Sequence, residues 1–139
     1  MINIIQLIYV SSAYHNMSDD ELQSILDSAV QHNAQNGVTG LLLYFDGSFM
    51  QVVEGPEDSV DELMGRLQRD SRHRDINVLS KSLVTDREFP QWSMGFKSIA
   101  RVDMAKHPHY APFFSQGFDD TQLSKPGVAI EFIRAVSSP

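Results

Sequence analysis

Residues 37–55, GVTGLLLYFDGSFMQVVEG, decide how this chain folds. Two apolar runs, 41–45 and 49–53, flank Asp46-Gly47, a dipeptide that favours a tight reversal because glycine tolerates a positive φ. Both runs are apolar at successive positions, so both are expected as strands in the interior of a sheet. Gln51 is the exception. Side chains alternate along a strand, so its amide shares a face with Phe49 and Val53. Left unpaired there, the amide would cost about 1–3 kcal/mol. Something polar has to meet it.

Upstream, Ile5, Leu7 and Tyr9 share one face of a strand expected over 2–10, and Ile4, Gln6, Ile8 and Val10 share the other. Apolar residues on both faces make this a central strand. Ser11 and Ser12 open a loop. Ser18 with Glu21 forms a capping box, and Asp19 and Asp20 suit the positive end of a helix. Leu22, Ile25, Leu26, Ala29 and Val30 then recur at helical spacing until Asn36-Gly37 ends the helix. One more turn of that stripe brings His32 and Asn33 onto the inner face. Either this turn frays into solvent or two polar side chains point into the core.

Downstream, Pro56 suits a first helical turn, and Val60, Leu63, Met64 and Leu67 make the inner stripe of a second helix ending near Asp70. A charged loop over 70–75, a strand over 76–84, an aromatic turn over 89–92 and a short strand over 94–99 follow. The order is β-α-β-β-α-β plus one strand: an α+β, ferredoxin-like βαββαββ sheet with two helices on one face. Its first and third strands are neighbours, which sets Tyr9 beside Gln51, with His32 and Asn33 aimed at the same region. Four polar side chains from three segments converge in an apolar interior. They either satisfy one another or surround a planar polar ligand. The opposite face, with Ile4, Ile8, Val10, Met50 and Val52, needs its own cover. The tail, with Tyr110, Phe113, Phe114 and Phe118, then Pro126 opening a helix of Ala129, Ile130, Ile133 and Val136, is expected to supply it as a helical extension.

Composition narrows the function. A chain of 139 residues, 42% apolar and 21% charged, suits one globular domain. A net charge of −7 disfavours a nucleic-acid partner, and the basic residues cluster only weakly, at Arg66, Arg69, Arg72 and Arg74. With no cysteine, disulfides, thiolate metal sites, cysteine nucleophiles and flavin–cysteinyl adducts are excluded. His107-Pro108-His109 lacks further ligands, so no metal is expected. Asp19, Asp20, Glu21, Glu57 and Asp58 are better read as helix-start residues than as acid/base pairs. The apolar N-terminus lacks a basic leader and a cleavage site, and no run approaches the ~20 residues of a membrane span. A cytoplasmic protein without a membrane partner is expected.

Several fragments, in this order and spacing, resemble one family: Leu7-Ile8-Tyr9-Val10-Ser11, Asn33, Val38-Thr39-Gly40-Leu41-Leu42, Asp46-Gly47-Ser48-Phe49-Met50-Gln51, Glu54-Gly55, Asp70 with Arg72-His73, and Trp92-Ser93-Met94-Gly95-Phe96. The family is the BLUF domain, a blue-light sensor that binds FAD, and the resemblance spans roughly residues 2–99. It implies a sensor domain over 1–100 and a C-terminal helical cap or output segment over 101–139. Tyr9 would match the tyrosine that gives an electron and proton to excited flavin, and Gln51 the glutamine between that tyrosine and the ring. Asn33 would bond the ring's polar edge, His32, Ile25 and Phe49 would line it, and Arg72 and His73 would hold its far side. Trp92 and Met94 would match the fifth-strand pair that exchanges places near the glutamine. The flavin would be FAD, with FMN or riboflavin as alternatives. The resemblance also implies a photoreceptor without catalysis of its own. About 40 residues after the sensor leave no room for an effector domain, so output is expected to pass to a separate protein partner or through a change in a homo-oligomer. The alternatives are a small ferredoxin-like enzyme and a ligand-free interaction module, because this fold hosts many activities.

Overall fold

The computed structural model describes residues 3–13, 17–45, 47–70, 73–90, 95–98, 114–115, 117–118, 123–125 and 127–137, and the strands and helices named below are those among these described residues. In chain order they are β1 (Ile4–Ala13), α1 (Asp19–Asn36), β2 (Thr39–Phe45), β3 (Ser48–Pro56), α2 (Glu57–Arg69), β4 (His73–Val84), β5 (Gly95–Ser98), β6 (Phe114–Ser115), β7 (Gly117–Phe118) and α3 (Val128–Ser137). The first five strands form one sheet in the order β4-β1-β3-β2-β5. β1 runs antiparallel to both β3 and β4, β2 antiparallel to β3, and β5 parallel to β2. This is the expected ferredoxin-like sheet with a fifth strand added. β6 and β7 form a separate small ladder.

The reversal between β2 and β3 falls where the dipeptide placed it, with Gly47 at φ 80° and Phe45 paired to Ser48. Gly40 answers a different need. A Cβ there would lie 1.9 Å from the Val52 carbonyl oxygen, so only glycine lets β2 close on β3. α1 begins on the Ser18–Glu21 capping box and ends with Gly37 in the left-handed region at φ 69°.

Two boundaries differ from expectation. Ser11 and Ser12 belong to β1, paired with Phe49 and Ser48, and the Ala13 amide donates to the Gly47 carbonyl at 2.8 Å. β4 starts at His73 rather than at 76, because the longer β1 gives Arg74 and His73 partners in Ser12 and Ala13. Charged residues are tolerated there because β4 is an edge, with Arg74 and Asp75 exposed. Two register shifts against β1 and the positive φ of Asp75, 54°, further distort that edge.

The sheet is covered on both sides. On one face Ile5, Leu7, Tyr9, Leu42, Phe49 and Val53 pack against Leu22 and Ile25 of α1 and Val60, Leu63 and Met64 of α2. On the other, Ile8, Val10, Leu41, Leu43, Phe45, Met50 and Val52 pack against Phe89, Phe118, Leu123 and the α3 residues Ala129, Phe132 and Ile133. The tail thus supplies the cover, through α3 and also through β7, whose Phe118 ring meets Phe45 at 6.1 Å and Phe132 at 6.0 Å. Pro126, Tyr110 and Phe113 lie outside the described residues, as do the side chains of Phe114 and Val136. Among the described residues, no helix is long and apolar enough to cross a membrane.

Candidate functional site

Strand register decides the first contact. Tyr9 and Gln51 are direct partners across the β1–β3 pair, and both point to the face covered by α1 and α2. Tyr9 is 0% exposed and Gln51 4%. The Tyr9 hydroxyl donates a hydrogen bond to Gln51 Oε1. Burial pushes the Tyr9 hydroxyl far above the ordinary phenol range, and the negative charge of Asp70 pushes it the same way. The phenol is therefore neutral, and its one donor is aimed at the amide oxygen.

Gln51 is also part of the wall of a cleft between the two helices. The cleft is lined by Ile25, Ser28 and Ala29 of α1, Leu42 and Gln51 of the sheet, Leu63, Arg66 and Leu67 of α2, and Asp70. Its volume is about 40 Å³. Two neighbouring hollows share Arg66: one of about 210 Å³ with Ser28, Gln31, His32 and Gln35, and one of about 310 Å³ with Leu63, Leu67, Arg69 and Asp70. The cleft and the two hollows meet at Arg66, along the seam between α1 and α2.

The other expected site residues divide by position. Asn33 is fully buried near the end of α1, which therefore does not fray there. Ile25 lines the cleft. Phe49 is fully buried and packs on Tyr44 at 5.1 Å. His32 is half-buried, lines the outer hollow, and reaches across to Glu62 of α2 at 3.3 Å. Val30, expected on the inner stripe, is 37% exposed. Arg72, Trp92 and Met94 lie outside the described residues; His73 starts β4, and its side chain lies outside them too.

Sequence reasoning missed Arg66 and Ser28 as cleft residues, and gave Asp70 only as a mark of the family resemblance. Arg66 read only as one of four weakly clustered basic residues. Its position three residues after Leu63, on the stripe that faces α1, was the available signal. Nε and Nη2 of Arg66 are buried and make no hydrogen bond among the described residues, although Nε lies 3.6 Å from Glu62 Oε1. Buried guanidinium donors at the junction of the cleft and its hollows suit a ligand with carbonyl or phosphate oxygens. The apolar walls of Ile25, Ala29, Leu42, Leu63 and Leu67 suit a flat ring. Among the described residues, no group of three or more His, Asp or Glu side chains could hold a metal ion.

The site is thus a buried phenol–amide pair at the wall of a helix-lined cleft on a ferredoxin-like sheet. Residues 4–95 match the family described as BLUF, sensors of blue-light using FAD, and the chain belongs to that family. It is 31% identical over 137 residues to the photoactivated adenylate cyclase subunit beta of Euglena gracilis, an alignment covering 96% of this chain and 16% of that protein. It therefore spans about a sixth of the length of that relative. Among solved structures it is similar to BlrB, a BLUF protein in its dark state, with a TM-score of 0.79 and 29% identity over 98% of this chain and 96% of that one. It is also similar to a bacterial light-regulated adenylyl cyclase, with a TM-score of 0.72 and 29% identity over 78% of this chain and 33% of that one. The BlsA ground state shares the fold, with a TM-score of 0.80 at 24% identity, over 98% of this chain and 89% of that one.

Proposed function

We propose that the chain is a blue-light photoreceptor that holds FAD non-covalently between α1 and α2 and signals through the Tyr9–Gln51 pair to a separate protein. FMN and riboflavin are the alternative flavins. The observation that carries this reading is the buried hydrogen bond from the Tyr9 hydroxyl to Gln51 Oε1 at the wall of the cleft. The flavin, when bound and excited, supplies the oxidising power. Tyr9 is the donor. Losing an electron alone would leave a buried cation, so its proton leaves with it, along the hydrogen bond to Gln51. An amide carries donors and an acceptor on one fork, so Gln51 can rotate or tautomerise and trade these roles without a change in net charge. The electron and proton return to Tyr9, and the amide stays rearranged. Asn33, Ile25, Phe49 and His32 are assigned to hold and line the ring, with Arg72 and His73 on its far side. Trp92 and Met94, just ahead of β5 in the sequence, are assigned to read the amide's orientation.

Residues 1–100 are assigned as the sensor and 101–139 as the cap and output segment. The chain has no catalytic role of its own in this reading; the cyclase activity in the names of its relatives belongs to those proteins. Its setting is the cytoplasm, and its partners are the flavin, one effector protein and further copies of itself.

The test is optical. The purified protein should be yellow and shift reversibly to the red under blue light. Gln51→Leu and Tyr9→Phe should keep the flavin and lose the shift. A colourless protein from flavin-replete cells, or a Tyr9→Phe variant that cycles normally, overturns the reading.

A further inference from the structure

β3 carries a second buried polar side chain that the photochemistry does not use. Glu54 lies three residues past Gln51, hence on the opposite sheet face, and is 0% exposed. Its carboxylate accepts three hydrogen bonds. One comes from Gln6 Nε2 at 3.0 Å, on the register-paired position of β1. The other two come from the backbone amides of Glu88 and Phe89, each at 2.8 Å. Arg87 fastens the same connection from the other side. Its Nη1 donates to Thr39 Oγ1 and to the Glu54 carbonyl, both at 2.8 Å, and its Nη2 to the Gly37 carbonyl at 2.7 Å. Residues 87–89, which lead from β4 toward β5, are thus held by four groups: the carboxylate and the carbonyl of Glu54 on β3, Thr39 Oγ1 at the start of β2, and the Gly37 carbonyl at the end of α1.

Glu88 adds a polar link to α3. Its amide is on Glu54, while its carboxylate reaches α3, where Arg134 donates from Nε to Oε1 and from Nη2 to Oε2, the latter at 3.3 Å. The Phe89 ring packs into the core beneath α3. Glu88 and Phe89 therefore both link the buried carboxylate to α3, Glu88 through its ion pair and Phe89 through apolar packing. Apolar packing under α3 would not require a carboxylate at position 54, and burying one is costly unless donors are arranged around it. The donors are arranged, and all but one come from the connection it fixes.

We propose that Glu54 is a positioning residue of the light-driven switch: it sets residues 87–89 on the sheet, and the Glu88–Arg134 pair passes that setting to α3. The inference rests on the photoreceptor reading for its functional consequence. Its structural part stands apart from it.

Hydrogen–deuterium exchange on the full chain in the dark tests the structural part. Glu54→Gln replaces one acceptor oxygen with a donor that faces other donors. It should speed exchange about ten-fold at residues 86–89 and also in α3, which it does not touch. Arg134→Gln, on the exposed side of α3, should in turn speed exchange at 86–89. The double charge swap Glu88→Arg with Arg134→Glu should restore both segments. If each single substitution changes only its own segment, the coupling is wrong; should Glu54→Gln fail to fold, the Arg134→Gln result decides alone. Under blue light, Glu54→Gln should keep the parental red shift and return to the dark form several-fold faster. An intact shift with parental recovery in both single variants sinks this inference and leaves the flavin reading standing. No shift in the parent sinks the flavin reading and the switch role with it.

Discussion

Tyr9 and Gln51 show how little sequence is needed to specify a polar contact once two strands are paired. Register alone sets them opposite each other, and burial makes the contact consequential. The raised pKa of Tyr9 has a thermodynamic signature. In the unfolded chain the phenol loses its proton near its ordinary pKa of 10.0, whereas the folded state keeps it. The stability this contributes is fully present below that pH and is lost as pH rises toward the higher folded-state value. Alkaline unfolding of the parent should therefore be steeper above pH 10 than that of Tyr9→Phe, by close to one proton in the slope of unfolding free energy against pH. Chemical denaturation across pH 9–11 measures it; identical slopes would contradict the burial of an ionisable hydroxyl. Arg66 gives the second prediction at this scale. If its buried Nε and Nη2 serve the bound flavin, Arg66→Ala should weaken flavin retention by roughly ten- to a hundred-fold, read from flavin released on dilution. Gln51 was legible in the sequence because an amide in an apolar strand is conspicuous. Arg66 was not, because an arginine on an amphipathic helix is ordinary until the facing helix is known to leave its donors dry.

Elements were legible where local chemistry is strong and unclear where pairing decides. The α1 capping box and its Gly37 end could be read directly, since each satisfies backbone groups within a few residues. Ser18→Ala should cost about 1 kcal/mol, seen as a lower denaturation midpoint with an unchanged slope. Gly40 could not be read from its neighbours. The reason only glycine is admitted is the Val52 carbonyl, which lies on a different strand. Gly40→Ala should disrupt the β2–β3 pair and leave little soluble folded protein, whereas Gly127→Ala, where a Cβ meets nothing within 4 Å, tests the backbone strain at φ 77° alone. The extra length of β1 and β4 was hidden for a related reason. Ser11, Ser12, His73 and Arg74 are poor strand residues by type, and they become strand through partners on other strands: Ser11 and Ser12 with Phe49 and Ser48 of β3, Arg74 and His73 with Ser12 and Ala13 of β1.

At the scale of the whole molecule, one sheet is buried on both faces by different parts of the chain. Helices α1 and α2 make a cleft on one side, and α3 with Phe118 seals the other. Phe132, fully buried in that seal, should cost about 3–5 kcal/mol when replaced by alanine, with the loss felt in global unfolding rather than in fraying of α3 alone. Differential scanning calorimetry showing a single transition at lower temperature would agree; a separate low-temperature transition for the tail would mean the two faces do not fold together. By itself the sequence determined the alternation that makes β1 and β3 central, the helix starts and stops, the tight turn at Gly47, and the presence of an amide where apolar residues were expected. Those features act over a few residues, through backbone conformation and side-chain periodicity. Only the tertiary structure decided that Glu54 would be enclosed by the amides of Glu88 and Phe89, that Arg134 would meet Glu88, and that Arg66 would stand over the cleft. Each of these joins residues that are far apart along the chain or on facing elements. Their hydrogen bonds and desolvation exist only once the sheet has brought them together, so no local pattern encodes them.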